Sequence, residues 1–484
     1  MDDLKSKGTK AFVWDFFGKI ARQGMGFVVT IFLARLLEPS DFGLVAMVMV
    51  IVGMAEVFAD IGLGGALIQR RRVLPVHYSS VFYLNVAVGV LLALMLFFSA
   101  EWVGAFYENE QLVPLAKVIS LSFILNAFSS VQVNKLRKEL NFAIITKASF
   151  FSSLVSGIIG VSMAFYGAGV WSLVAQSLSV GFLFNIIIWY VSDWKPSFLF
   201  SYKALTQLWG FGFRMFLVGI LDAVFSRLDY IVIGKLFTPA SLGFYQRAKS
   251  LNTMLVQYSS GSLMTVMFPV LSKVQNDLLR FQNIIIKLLG SINFITFLLF
   301  GGLYLVSEEL IVLLFSDKWL PSVEFFRILV LSGFGFPIAT LLANILRSRG
   351  NSKAFLRMAI FRKTVFAINL YVGFLWGIEG YLYGLIVVAV FNVGIAIYMS
   401  SREISLSPFV FIKPLMTQIV LTVFTVFITT VLVQSMEMAH LASLLIKGSL
   451  FVFLYFLINW TLKTSAYLAV MEQIVPVLRR KFKR

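Results

Sequence analysis

Apolar runs of membrane length, repeated down the chain, constrain its fold more than any motif does. A helix crossing the hydrocarbon core needs roughly 20 mostly apolar residues at about 1.5 Å rise each. Runs of that kind are predicted over 11–34, 42–68, 78–99, 113–134, 143–166, 168–191, 208–234, 242–271, 283–306, 324–346, 355–375, 379–401, 414–433 and 441–462. Lipid offers no partner to a free N–H or C=O, so such segments satisfy their backbones internally as helices. Composition points the same way. Hydrophobic residues make up 59% and charged residues 13%, with a mean hydropathy of +0.89, where soluble domains run at roughly 45–50% and 25%. The expectation is an all-α polytopic membrane protein of about 14 transmembrane helices.

The net charge is +18. In a soluble chain that would suggest nucleic acid. Here the basic residues cluster in short loops: Arg70 to Arg72, Lys135 to Lys138, Lys195 and Lys203, Lys273 and Arg280, Arg347 to Arg357, Arg402 and Lys413, and Arg479 to Arg484. They alternate with loops that are short or acidic, around Glu38, Glu101, Glu108, Glu308, Glu379 and Glu437. The positive-inside rule places the basic set in the cytoplasm, so both termini are expected there and no nucleic-acid partner is needed. With no cysteine, disulfides and thiol chemistry are excluded. MDDLKSKGTK lacks the pattern of a cleavable signal, so the first apolar run is expected in the mature protein. The tail TSAYLAVMEQIVPVLRRKFKR, apolar and then basic, is expected to lie as a helix on anionic lipid.

The chain also repeats. Ala34-Arg35-Leu36-Leu37-Glu38-Pro39-Ser40-Asp41-Phe42-Gly43 aligns with Gly234-Lys235-Leu236-Phe237-Thr238-Pro239-Ala240-Ser241-Leu242-Gly243. Each copy follows the first run of a set of six. Two like-oriented bundles of six helices, related by a pseudo-two-fold axis, are therefore expected, with two extra C-terminal helices. Such parallel repeats place a substrate site between halves. The expected boundaries are 1–202 and 203–403 for the lobes, 404–463 for the extra pair and 464–484 for the tail.

Ionisable residues inside the runs are costly, at about 2.5–3.5 kcal/mol each on insertion scales. They concentrate on the opening helix pair of each repeat. Asp15, Lys19 and Arg22 share one face of the first run, and Glu56 and Asp60, four apart, share a face of the second. Gly53 and Gly64 sit near that face, and Gly62-Leu63-Gly64-Gly65 reads as close helix packing. In the seventh run Arg214, Asp222 and Asp229 lie within roughly a quarter turn of one another, while Arg227 projects elsewhere. In the eighth, Lys249 and Gln257 lie on one polar stripe with Arg247 at its edge. Lys19, Arg22, Arg214, Arg227, Arg247, Lys249 and Gln257 are the expected lumen contacts for an anionic substrate. Asp15, Glu56, Asp60, Asp222 and Asp229 are the expected coupling or ion-pairing acids. Arg362 and Lys363 of the eleventh run read as weaker candidates.

No metal cluster, nucleotide-binding glycine loop or catalytic nucleophile motif is visible, so no cofactor or metal is expected. LARLLEPSDFGLVAM…ADIGLGGALIQRR, from Leu33, and FSDKWLPSV, from Phe315, resemble stretches of the bacterial polysaccharide exporters. These are the Wzx-type flippases of the multidrug/oligosaccharidyl-lipid/polysaccharide superfamily, in the colanic-acid and teichuronic-acid exporter branch. The likeness runs from about Lys10 to about Ser401. It implies a MATE-like fold with twelve core helices in two lobes, often with two more, and a cavity lined by the opening helices of each lobe. It also implies a bacterial inner-membrane flippase for an undecaprenyl-pyrophosphate-linked oligosaccharide or related precursor. Membrane lipids are then partners, with polysaccharide polymerase and chain-length machinery to be tested. Two other readings stay open at this point. One is a small-molecule or drug:cation antiporter of the same superfamily. The other is a membrane glycosyltransferase, which usually needs a larger external loop than any present here.

Overall fold

The computed structural model describes residues 2–436 and 438–472, with side chains for all of these except 2–13, 15–17, 19, 211, 214, 218, 257–270, 272 and 273. Among the described residues every regular element is helical. The first of two compact units, Met1–Gln246, holds α1 (Asp2–Leu36), α2 (Pro39–Asp60), α3 (Leu63–Gln69), α4 (Pro75–Phe98), α5 (Ala100–Tyr107), α6 (Leu112–Ile119), α7 (Leu121–Lys138), α8 (Phe142–Phe165), α9 (Val170–Val191) and α10 (Tyr202–Leu236). The unit boundary falls inside α11 (Pro239–Lys273). The second unit, Arg247–Arg484, continues with α12 (Leu278–Leu305), α13 (Ser307–Phe315), a 3-10 turn (Asp317–Trp319), α14 (Pro321–Gly333), α15 (Gly335–Ser348), α16 (Ser352–Phe374), α17 (Gly377–Glu403), α18 (Phe409–Val433) and α19 (His440–Thr461).

Among the described residues, ten helical segments are long and apolar enough to cross a membrane: α2, α4, α6 with α7, α8, α9, α12, α14 with α15, α17, α18 and α19. The chain is thus a multi-pass membrane protein. The expected total of about 14 would add α1, α10, α11 and α16, which are long enough at 35, 35, 35 and 23 residues. Those helices carry many of the ionisable residues singled out above. Three runs read as single helices are each two: 113–134 breaks at Ser120, 324–346 at Phe334, and 42–68 at Ile61 and Gly62.

Proline sets where four of the helices start, because its fixed φ suits the first turn and it has no N–H to leave unpaired. Pro39, Pro75, Pro239 and Pro321 open α2, α4, α11 and α14. Local side chains complete the starts. The Asp41 carboxylate accepts from Glu38 N–H at 3.1 Å, and Thr238 Oγ1 accepts from Ser241 N–H at 3.2 Å. His77 Nδ1 accepts from Leu74 N–H at 3.2 Å, while its Nε2 meets Gln207 Oε1 of α10 at 3.1 Å. This buried histidine therefore fastens α4 to α10.

The two turns found as a repeat meet each other within the first unit. A Cβ on Gly43 would lie 1.7 Å from Pro239 O, and one on Gly243 would lie 1.9 Å from Pro39 O. The contact is reciprocal, with each copy's glycine against the other copy's proline carbonyl. That is the signature of a local two-fold relation, and it explains why Pro and Gly keep the same spacing in both copies.

In the second unit α12 and the α14–α15 pair are central and mostly buried, whereas α19 is mostly exposed. Helices α18 and α19 are joined by a buried polar network. Gln418 Nε2 donates to Asn459 Oδ1 at 2.8 Å, and Tyr455 OH donates to Gln418 Oε1 at 2.6 Å. The start of the expected interfacial tail is packed rather than free. Residues 465–472 are helical, Ala466 and Val470 are buried beside α12, and Lys287 pairs with Glu472 at 2.7 Å. The basic end of that tail, and Glu437, lie outside the described residues.

Candidate functional site

The expected continuous helix over 42–68 breaks in the structure. α2 stops at Asp60, and Ile61 (φ 44°) and Gly62 (φ 70°) both turn left-handed before α3 restarts at Leu63. Gly62 therefore lies in a break, while Leu63, Gly64 and Gly65 open α3. A side chain at Gly62 would be strained at that φ and would also meet Gly212 O of α10 at 2.2 Å. A break between two helices frees backbone groups, which need partners. Asp60 supplies one. Its carboxylate accepts from Gly64 N–H at 3.1 and 3.3 Å, and Ser130 Oγ stands 3.5 Å away. Asn85 Nδ2 donates to Ser130 at 3.3 Å, and Asn134 packs over Gly64, where a Cβ would come within 2.2 Å of its Nδ2.

Glu56 is arranged differently. It is exposed, and it accepts from the exposed Asn126 of α7 at 2.8 Å. The cation beside it is Arg227 of α10. The Arg227 guanidinium rests on the α2 backbone at Gly53, where a Cβ would lie 2.0 Å from Cζ, and its Nη1 reaches Met49 O at 3.4 Å. Only a residue without a side chain leaves that room. The one arginine that helix geometry set apart from the α10 stripe is thus the cation nearest Glu56, whereas the cation that acts on Asp60 is Arg137 of α7.

The other expected residues lie as follows. Arg22 is exposed on α1, which packs against α8, and it is not among the groups that meet Glu56. Asp222 is exposed on α10, while Asp229 is buried and accepts from Tyr245 OH. Tyr245 in turn meets Tyr230 edge to face at 5.6 Å. Arg247 and Lys249 are half-buried on α11, and Thr253 Oγ1 donates to Lys249 O at 2.8 Å. The side chains of Asp15, Lys19, Arg214 and Gln257 lie outside the described residues.

The structure therefore brings together Glu56, Asp60, Arg227, Asn85, Asn126, Ser130 and Asn134 within the first unit. Reading charged stripes alone missed the α7 amides. The available signal was the i, i+4, i+8 spacing of Asn126, Ser130 and Asn134 in LSFILNAFSSVQVNKLRK. Asn85 carried no such signal. Chemically, the site offers an open carboxylate, a guanidinium and neutral amides on facing apolar helices. That is a strip of polar groups whose charges would be costly to turn toward lipid.

The model for the family described as polysaccharide biosynthesis protein matches residues 32–324, more than half of the chain. Teichuronic acid biosynthesis protein TuaB of Bacillus subtilis (strain 168) is 26% identical over 283 residues, 58% of each chain. The match thus spans under two thirds of that relative's length. Lipopolysaccharide biosynthesis protein WzxC of Escherichia coli (strain K12) is 23% identical over 85% of this chain and 82% of its own. Among solved structures, the lipid II flippase MurJ in an inward closed conformation superposes with a TM-score of 0.73 at 16% identity. That superposition covers 94% of this chain and 99% of the other. An inward-facing multidrug resistance MATE family transporter gives 0.59 at 14% identity, over 79% and 98%. The fold is accordingly MATE-like.

Proposed function

Because the chain belongs to the polysaccharide biosynthesis protein family, we propose that it translocates a lipid-linked oligosaccharide, or a related cell-surface polysaccharide precursor, across the bacterial cytoplasmic membrane. The expected carrier lipid is undecaprenyl pyrophosphate. The relatives named above support that class of work, in teichuronic acid and lipopolysaccharide biosynthesis. The reading makes the protein a transporter and not an enzyme, with both termini cytoplasmic. Its lobes are residues 1–202 and 203–403, followed by the appended pair.

Sugars and a pyrophosphate must cross about 30 Å of hydrocarbon. They need a wet, charged wall while the lipid tail stays in the bilayer. The observation that carries the reading is the open pair Glu56–Asn126 with Arg227 beside it, on helices whose other faces are apolar. The guanidinium suits a phosphate, and the carboxylate and amides suit sugar hydroxyls. Arg22, Arg214, Arg247, Lys249, Lys19 and Gln257 extend that wall in this proposal, and Asp15, Asp222 and Asp229 tune its charge. Asp60 holds the helix break. Alternating access by rocking of the two lobes would carry the headgroup across.

The test is export of surface glycan in a deletion strain carrying plasmid copies. Glu56→Gln and Arg227→Ala are expected to lower export at least about tenfold, with wild-type amounts of protein in the membrane fraction. Wild-type export in both would remove this cluster from the pathway.

A further inference from the structure

α16 and α17 lie side by side, joined by a turn at 375–376, so the start of one and the end of the other share a level. Between them at that level is a cavity of about 410 Å³. Its rim carries Asn351, Arg357, Arg402 and Glu403, and its deeper wall carries Phe361 and Ile395. Glu403 on the same rim turns to its own partners, accepting from Asn351 Nδ2 at 2.7 Å and standing 3.9 Å from Arg349 Nε, an arginine outside the cavity lining. Arg402 stacks on the Tyr398 ring at 4.5 Å, which fixes its fork without consuming its charge. Arg357 has no hydrogen bond or ion pair among the described residues. The rim thus presents, beside Glu403, two guanidinium groups held in no ion pair among the described residues, the geometry that best matches phosphate oxygens.

Depth separates the two chemistries. Phe361 is four residues along α16 from Arg357, about 6 Å further in, and Ile395 is seven residues from Arg402, about 10 Å. The flanks expose Leu356, Ile360 and Phe391, as a face turned to lipid does. A free phosphate would use the rim and leave the apolar wall bare. A molecule carrying both a phosphate and a hydrocarbon chain would use both.

We propose that this cavity binds an anionic glycerophospholipid. Arg357 and Arg402 hold its phosphodiester, and Phe361 and Ile395 pack against the first part of an acyl chain. The site is separate from the Glu56 cluster, and it rests on the transport reading only for the leaflet it faces, the cytoplasmic one.

The experiment is native mass spectrometry of the purified full chain, with phosphatidylglycerol and phosphatidylcholine of equal chain length added in turn. Wild type is expected to retain phosphatidylglycerol about tenfold better. Arg357→Gln/Arg402→Gln is expected to lose the preference, and Arg357→Lys/Arg402→Lys to keep part of it. Equal retention of the two lipids by wild type overturns the proposal without any variant. So does an unchanged preference in the glutamine pair. Displacement of phosphatidylglycerol by inorganic phosphate would make this a free-anion site, and displacement by a short polyprenyl pyrophosphate would make it part of the substrate path. Either result overturns the phospholipid assignment. Because binding is read directly, a failure here leaves the export result standing, and the reverse also holds.

Discussion

Single side chains in this protein divide by whether their charge is met. Glu309, on α13 outside the spanning segments, is buried and accepts from Ser443 Oγ at 2.7 Å and from Lys447. Burial pushes its carboxyl up, but Lys447 and Ser443 outweigh burial and hold it below the ordinary carboxylate range. The sign follows from linkage. A depressed folded value stabilises fully above the unfolded value of about 4.3, and that contribution is lost as pH falls through the folded value. The melting temperature in detergent should therefore fall on acidification below about pH 4.3, and Glu309→Gln should flatten that part of the profile. Lys447→Ala leaves a buried carboxylate unpaired and should cost about 3–5 kcal/mol, seen as a lower melting temperature at neutral pH. A pH profile unchanged by Glu309→Gln would refute the pairing. Sequence alone could rank Glu309 only as one more acid in a polar loop. Its partners are 134 and 138 residues away, and no local pattern encodes them.

Elements show the opposite balance. The apolar runs and the repeated turn were legible, because each depends on residues within a few positions of one another, whereas the proline starts stood three residues ahead of the expected runs. The break at Ile61 and Gly62 was not. An apolar stretch reads as one helix until a neighbouring backbone, here Gly212, claims the space. The same logic gives a prediction at the repeated turns. The atoms facing Gly43 and Gly243 are backbone carbonyls, which cannot swing aside as a side-chain tip can. Gly43→Ala and Gly243→Ala should each cut the amount of folded protein in the membrane several-fold, with similar size in both because the contact is reciprocal. Immunoblots of membrane fractions and melting of any purified variant would show it. Normal accumulation of both variants would mean the turns part readily, and the close contact would lose its structural meaning.

At the scale of the whole molecule, translocation requires that some contacts made in one state be broken in another. Lys235 Nζ and Glu108 Oε1 are 2.7 Å apart and join α10 to the turn after α5. Glu108 belongs to the loop set expected outside the cytoplasm, and Lys235 stands in the second copy of the repeated turn. The chain has no cysteine, so Glu108→Cys/Lys235→Cys gives a clean pair for a short bifunctional thiol reagent. Cross-linking is expected to stop glycan export, and a cleavable reagent should restore it on reduction. Full export from a quantitatively cross-linked protein would show that this contact does not move in the cycle. What the sequence by itself determined is the medium and the plan: apolar runs of bilayer length, basic and acidic loops in alternation, a repeated turn, and costly charges on the helices that open each repeat. Those properties follow from hydration cost and from the intrinsic period of one helix, which act along the chain. Only the tertiary structure decided that Arg227 lies beside Glu56, that Asp60 mends a helix break, and that Asp229 is held by Tyr245. Periodicity states which face a residue occupies, but the neighbour on that face is set by how separate helices pack.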